Sequence, residues 1–119
     1  MIRYANEDDL EILMKYDKHI REKELKDSIN NKRILVMFIN DVFIGWLRYN
    51  LFWDSEPFMN MLYFLEGYRG KGYGGQLIHY WEEEMVKSNY KRVLTSTLSN
   101  ERAQFFYRKN GYVDCGALL

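Results

Sequence analysis

Residues 68–75 read YRGKGYGG, with glycine at 70, 72, 74 and 75 and the cations Arg69 and Lys71 set among them. An amphipathic stretch, QLIHYWEEE, follows at once. Glycine removes the Cβ that would hold a ligand off the backbone. The first turn of a helix leaves N–H groups without partners and carries a partial positive charge. Bare backbone, cations and a helix start at one point are the means of holding an anion, commonly a phosphate.

Three glycine motifs compete for this loop. A P-loop requires Ser or Thr directly after its lysine, and Lys71 is followed by Gly72. The dinucleotide fingerprint G-x-G-x-x-G is met by Gly70, Gly72 and Gly75. Its context is missing, because the next apolar run, LTSTLS, ends in no acid for a ribose. The turn also follows several antiparallel-looking strands and not the first strand of a βαβ series. The third pattern, R-x-x-G-x-G, is met by Arg69, Gly72 and Gly74.

With this last pattern the chain resembles the GNAT superfamily of acetyl-CoA-dependent N-acetyltransferases. A second stretch, NERAQFFYRKNGY from Asn100, is similar to that family's second motif, in the expected order and spacing. The resemblance covers about residues 1–117. It implies that acetyl-CoA is the acyl donor and that no metal takes part. Gly72 and Gly74 would present backbone N–H groups to the pyrophosphate, Gly70 and Gly75 would ease the turn and close packing, and Arg69 and Lys71 would add charge. Tyr73, Asn100 and Phe106 complete the expected cofactor contacts. The backbone N–H groups of Phe64 and Leu65 are expected to hydrogen-bond the thioester carbonyl. Tyr107 falls at the position of the general acid that protonates the departing sulfur. The implied reaction is direct attack of a primary amine, in a small molecule or a peptide, through a tetrahedral intermediate. A catalytically weak acyl-CoA-binding module of the same fold is the alternative.

A lysine-like amine must lose a proton before it attacks, which at pH 7 costs about 4.6 kcal/mol for a pKa of about 10.4. A base is therefore useful. Glu66, directly after an apolar strand and before the loop, is the first choice by position, with Asp54 and Glu56 in WDSEP as alternatives. His19 and His79 read as surface histidines. The aromatic stretch YNLFWDSEPF suggests Tyr49, Trp53 and Phe58 as a wall of the acceptor site, with core packing the competing reading. Cys115 reads as a small apolar filler.

Elements must position these groups. Asn6 before EDD is a helix N-cap, and Leu10, Leu13, Met14 and Asp17 follow at helical spacing. A second short helix is expected around 21–29. RILVMFI and VFIGWLRYN, separated by ND, predict a hairpin of strands over 33–39 and 42–50. Further strands are expected at 58–65 and 91–98, helices at 73–88 and from Asn100 to about Lys109, and an extended segment from Gly111. The order predicts an α/β (α+β) fold, with a mixed, mostly antiparallel sheet and helices on both faces.

At 119 residues and 14.5 kDa the chain is sized for one domain, 1–119. Seventeen basic and seventeen acidic residues cancel, which argues against nucleic acid or anionic membrane as partner. One cysteine makes no intrachain disulfide, and no signal pattern opens the sequence, so the cytoplasm is the expected compartment. The resemblance implies a further C-terminal strand for which Leu119 leaves no room. A truncated chain, or a homodimer in which the partner covers the bare edge, is the expectation that follows.

Overall fold

The computed structural model describes residues 1–96 and 103–113. Its elements run β1 (Ile2–Tyr4), a 3-10 turn (Glu7–Asp9), α1 (Leu10–Tyr16), α2 (Glu22–Asn30), β2 (Ile34–Ile39), β3 (Val42–Phe52), β4 (Glu56–Phe64), α3 (Tyr73–Lys87), β5 (Leu94–Thr95) and α4 (Ala103–Lys109). The strands form one sheet in the order β1-β2-β3-β4-β5. The first four pair antiparallel, and β5 returns parallel to β4 after the α3 crossover.

Local chemistry sets most of these boundaries. Asn6 accepts from the Asp8 N–H at 2.9 Å while Asp9 accepts from the Asn6 N–H at 2.8 Å, a reciprocal cap that starts the first helical turn. Asn40 and Asp41 both sit at positive φ, 50° and 64°, and form the two-residue turn that joins Ile39 to Val42. The stretch 51–57 between the two expected strands is mostly strand itself, because β3 runs to Phe52 and β4 begins at Glu56. Between them Trp53 and Asp54 turn the chain at φ 51° and 61°. The strand expected over 91–98 is assigned only at Leu94–Thr95 among the described residues. Asn100, Cys115 and most of the extended segment after Gly111 lie outside the described residues.

Two apolar clusters hold helices to the two faces of the sheet. On one, Leu77, Ile78, Trp81 and Met85 of α3 pack on Leu35, Met37, Leu47, Tyr49 and Met59. On the other, Leu13, Leu25 and Ile29 of α1 and α2 cover Ile34, Val36 and Trp46. Each such large side chain contributes about 1.5–3 kcal/mol when fully buried.

One irregularity shapes the site. Arg48 pairs with Met61 but Tyr49 pairs with Met59, so Asn60 is an extra residue in β4. A bulge bends its strand and ends regular pairing. Among the described residues β5 joins β4 only at Phe58 and Met59, just before the bulge. From Asn60 to Phe64 the outer edge of β4 has no strand beside it among those residues.

Candidate active site

The loop after β4 ends in Gly72 at φ 87°, the residue that caps α3. A left-handed residue at a helix start disfavours any Cβ, and Gly72 has nothing within 4 Å of where a Cβ would stand. Among the described residues no side chain caps the helix, and its first turn carries no acid. The positive end of a fifteen-residue helix is therefore open to a ligand. Gly74 and Gly75 have another task in the fold. A Cβ at Gly74 would lie 3.0 Å from the Phe106 ring and one at Gly75 would lie 3.2 Å from Asn110 Oδ1, so bare backbone lets the α4 end dock on α3.

A cleft of about 680 Å³ opens at this junction. The end of β4, the glycine loop, the first turns of α3 and the end of α4 surround it. Leu65 donates its N–H to Ile44 O at 2.8 Å, and Phe64 is the next residue back, opposite Gly45. Backbone groups alternate in direction along an antiparallel ladder, so the Phe64 N–H and C=O point away from β3, toward the open edge. The Phe64 carbonyl accepts from Arg69 Nε at 2.8 Å. The Arg69 guanidinium lies over the Tyr63 ring, 4.8 Å from its centroid.

Of the residues expected to hold the cofactor, the structure gathers Phe64, Arg69, Gly70, Gly72, Gly74, Gly75 and Phe106 around the cleft. Leu65, Lys71, Tyr73, Glu66 and Tyr107 do not line it. The Leu65 N–H is engaged within the sheet, which leaves Phe64 as the donor of that pair directed to the open edge. Lys71 and Glu66 are exposed. Tyr107 is half-buried beside Phe106 and Tyr112, with ring centroids 5.5 and 5.8 Å away. Burial and the nearby Glu82 carboxylate raise the Tyr112 phenol above the usual tyrosine range.

The aromatic wall expected for the acceptor is not assembled. Tyr49 is buried against Trp81 at 5.6 Å, and its hydroxyl donates to Lys32 O at 3.3 Å. Burial raises its pKa above the ordinary tyrosine value. Trp53 is 83% exposed at the hairpin tip, beside Asp54. Glu56 pairs with Arg92 at 3.1 Å. None of these four lines the cleft.

The cleft also includes Tyr63, Tyr68, Gln76, His79, Lys109 and Asn110, which sequence reasoning did not assign to it. A signal was present for Gln76 and His79, since 72, 76 and 79 recur at i+4 and i+3 along one helix face. Lys109 and Asn110 belong to the second motif itself. Nothing in the sequence marks Tyr63.

Behind Tyr63 lies a buried polar cluster. Tyr63 packs on Trp46 at 5.2 Å, and Trp46 Nε1 donates to Asp17 Oδ2 at 3.2 Å. Arg48 Nε donates to the same oxygen at 2.9 Å. Asp17 therefore ties the end of α1 to β3 beneath the cleft.

A mixed sheet with a strand edge that is unpaired among the described residues, opening beside a helix start that none of their side chains caps, has the form of a site for an extended ligand with an anionic part. The Acetyltransferase (GNAT) family model matches residues 3–112, and the chain belongs to that family. No match to a curated protein was found. Among solved structures it is similar to the aminoglycoside 6'-N-acetyltransferase AAC(6')-IG of Acinetobacter haemolyticus, with a TM-score of 0.86 and 16% identity over 100% of this chain and 94% of that one. The PaiA N-acetyltransferase of Thermoplasma acidophilum, in complex with coenzyme A, gives a TM-score of 0.80 and 20% identity over 93% and 87%. The ribosomal-protein-alanine N-acetyltransferase of Brucella melitensis gives 0.81 and 18% over 98% and 86%. At these identities the likeness is one of fold.

Proposed function

We propose that this protein is an acetyl-CoA-dependent N-acetyltransferase acting on a primary amine of a small molecule or peptide. The observation that carries the reading is the junction, in one cleft, of the α3 N-terminus at Gly72 with the end of β4 at Phe64, beside which no strand runs among the described residues. Those residues fit an acyl-CoA: the helix start and Lys109 suit its pyrophosphate, and the β4 edge that no described strand covers suits its amide-bearing arm. Family membership supports the reading, as does the coenzyme A complex of a structural neighbour. The cytoplasm is the compartment that the reading favours.

Acetyl-CoA supplies an activated acyl carbon when bound. As the amine nitrogen bonds to that carbon, the C–S bond breaks, the amine gives up a proton and the thiolate takes one. The Phe64 N–H is the donor for charge that develops on the carbonyl oxygen. Glu66, on the turn after β4, receives the amine proton directly or through water. Tyr107, packed behind the cleft-lining Phe106, is the residue to which the reading gives the proton for the leaving sulfur.

Thermal unfolding with acetyl-CoA, CoA and NAD in parallel tests the reading. A ligand at one hundred times its Kd adds about 2.7 kcal/mol of stability, enough for several degrees. A rise with both CoA species and none with NAD is expected, and a rise with NAD alone would remove the reading. Tyr107→Phe is expected to lower kcat about a hundredfold with the CoA-induced rise intact. Unchanged turnover would take Tyr107 out of the chemistry and favour a water as proton donor.

A further inference from the structure

The cleft is bordered by side chains from both faces of the sheet. Phe64 belongs with the α3-side cluster, while Tyr63, its neighbour, packs on Trp46 among the residues that α1 and α2 cover. Both line the cleft. The α3 side holds the open helix start and Lys109. With a donor bound there, an acceptor must enter at the Tyr63 mouth.

That mouth is cationic. Arg69 is fixed through its Nε on the Phe64 carbonyl and by its face on Tyr63. Among the described residues neither of its Nη groups has a hydrogen-bond partner. No Asp or Glu lines the cleft among the described residues. The acids buried on this face of the sheet are neutralised, Asp17 by Arg48 at 2.9 Å and Asp9 by Arg3 at 2.7 Å. Among the described residues a polycationic acceptor such as an aminoglycoside or a polyamine meets no carboxylate in the cleft lining, the Glu66 base standing outside it. A planar guanidinium held at one edge offers its remaining N–H fork to a planar or tetrahedral oxyanion.

We infer that the acceptor amine also carries an oxyanionic group, carboxylate or phosphate, which Arg69 receives at the Tyr63 mouth. This rests on the N-acetyltransferase reading and moves the Arg69 side chain from the pyrophosphate to the acceptor. Arg69 then selects the substrate and sets the distance between its anion and the reacting nitrogen.

The test uses the full chain, free-thiol release as the assay and matched amines: alanine against alaninamide, lysine against lysinamide, phosphoethanolamine against ethanolamine, with spermidine and kanamycin as polycations. CoA-induced thermal stabilisation is measured alongside. The expected result is at least a tenfold higher kcat/KM for an oxyanionic member over its neutral mate, and the two series separate carboxylate from phosphate. Arg69→Gln is expected to raise KM for that acceptor about tenfold and erase the preference, with the CoA-induced rise retained. Arg69→Lys, which keeps charge and loses the fork, is expected to fall between. Preference for the neutral or polycationic amines overturns the inference, as does turnover of none of the oxyanionic amines. Equally fatal is Arg69→Gln that loses CoA stabilisation yet keeps the preference, for the guanidinium then serves the pyrophosphate. An absent CoA-induced rise in the unmodified chain instead removes the N-acetyltransferase reading, and the inference with it.

Discussion

Strand β4 has an aromatic group at each end, and only one of them lies at the cleft. At its start, Phe52 stacks on Trp53 at 4.9 Å and meets Phe58 at 5.8 Å, at the tip of a hairpin. At its finish, Tyr63 carries the Arg69 guanidinium and borders the cleft. Both ends expose large rings, with Trp53 at 83% and Tyr63 at 41%. The difference lies in the backbone. Near the start the strand is paired on both sides, to β3 and at Phe58 to β5. Beyond the extra residue Asn60 it loses its outer neighbour among the described residues, and a glycine-capped helix begins close by. Polar backbone left without a partner among the described residues, beside a helix start, is suited to a ligand; stacked rings at a hairpin tip do not require one.

The largest way to break this contrast is at Gly72. Gly72→Val puts a branched side chain at φ 87° where the ligand's anion would approach. Left-handed backbone disfavours a non-glycine residue by roughly 1–2 kcal/mol, so the domain is expected to stay folded. CoA-induced stabilisation is expected to vanish, a loss of at least a hundredfold in affinity. Retained stabilisation in the variant would move the anion site away from the α3 start.

A second variant acts on what lies beneath Tyr63. Asp17→Ala leaves the Arg48 guanidinium buried without its carboxylate, and removing one partner of a buried pair costs about 3–5 kcal/mol. Urea midpoints should show that loss. The double variant Asp17→Ala, Arg48→Met should recover most of it, because an apolar replacement of both partners is often close to neutral. If the single variant loses under about 1 kcal/mol, the pair is not closed to water as the structure has it.

Local features of this arrangement are legible in the sequence, and long-range ones are not. The glycine loop, the Asn6 cap, the ND turn and the apolar stripe of Leu77, Ile78, Trp81 and Met85 each depend on a few neighbouring residues. The mixed sheet with helices on both faces followed from their order. The Asn60 bulge has no such mark, since it is a mismatch between two strands and FMNMLYF alone reads as an ordinary run. Tyr49 was expected at the acceptor, but it alternates with Leu47 onto the face that Trp81 covers. Asp17 read as one polar position on an apolar helix face. Its partner Arg48 lies 31 residues away, and only the fold joins them. Arg69 belongs to a local motif, while its stack on the Tyr63 ring is a contact that only the fold supplies.

Asp9 gives a smaller, pH-dependent handle on the same face. Burial alone would raise its carboxyl, but hydrogen bonds from Arg3 and the Asn6 N–H outweigh burial and hold it below the ordinary carboxylate range. A depressed folded pKa means stability that is present above the unfolded value, about 3.9, and lost as pH falls through the folded one. Between pH 5 and pH 2.5 the urea midpoint of the native chain should therefore fall more steeply than that of Asp9→Asn. Parallel curves would mean that the Arg3 pair contributes nothing in solution.

The smallest expected effect carries the most information about the comparison. Trp53→Ser removes the largest exposed ring at the far end of β4, where the side chain buries little and touches only Phe52 among the ring contacts. Exposed substitutions of this kind change stability by about 0.5 kcal/mol or less. With no part of the cleft formed by the hairpin tip, kcat/KM on any accepted amine should stay within about twofold, and so should the effect of CoA on Tm. A loss of turnover with CoA binding intact would give the tip a part in holding the acceptor, across roughly the length of β4 from the Tyr63 mouth. A nine-residue strand spans about 30 Å at about 3.3 Å per residue, so only a long peptide acceptor could touch both ends. The variant therefore discriminates between a small amine seated at one mouth and an extended chain laid along the strand.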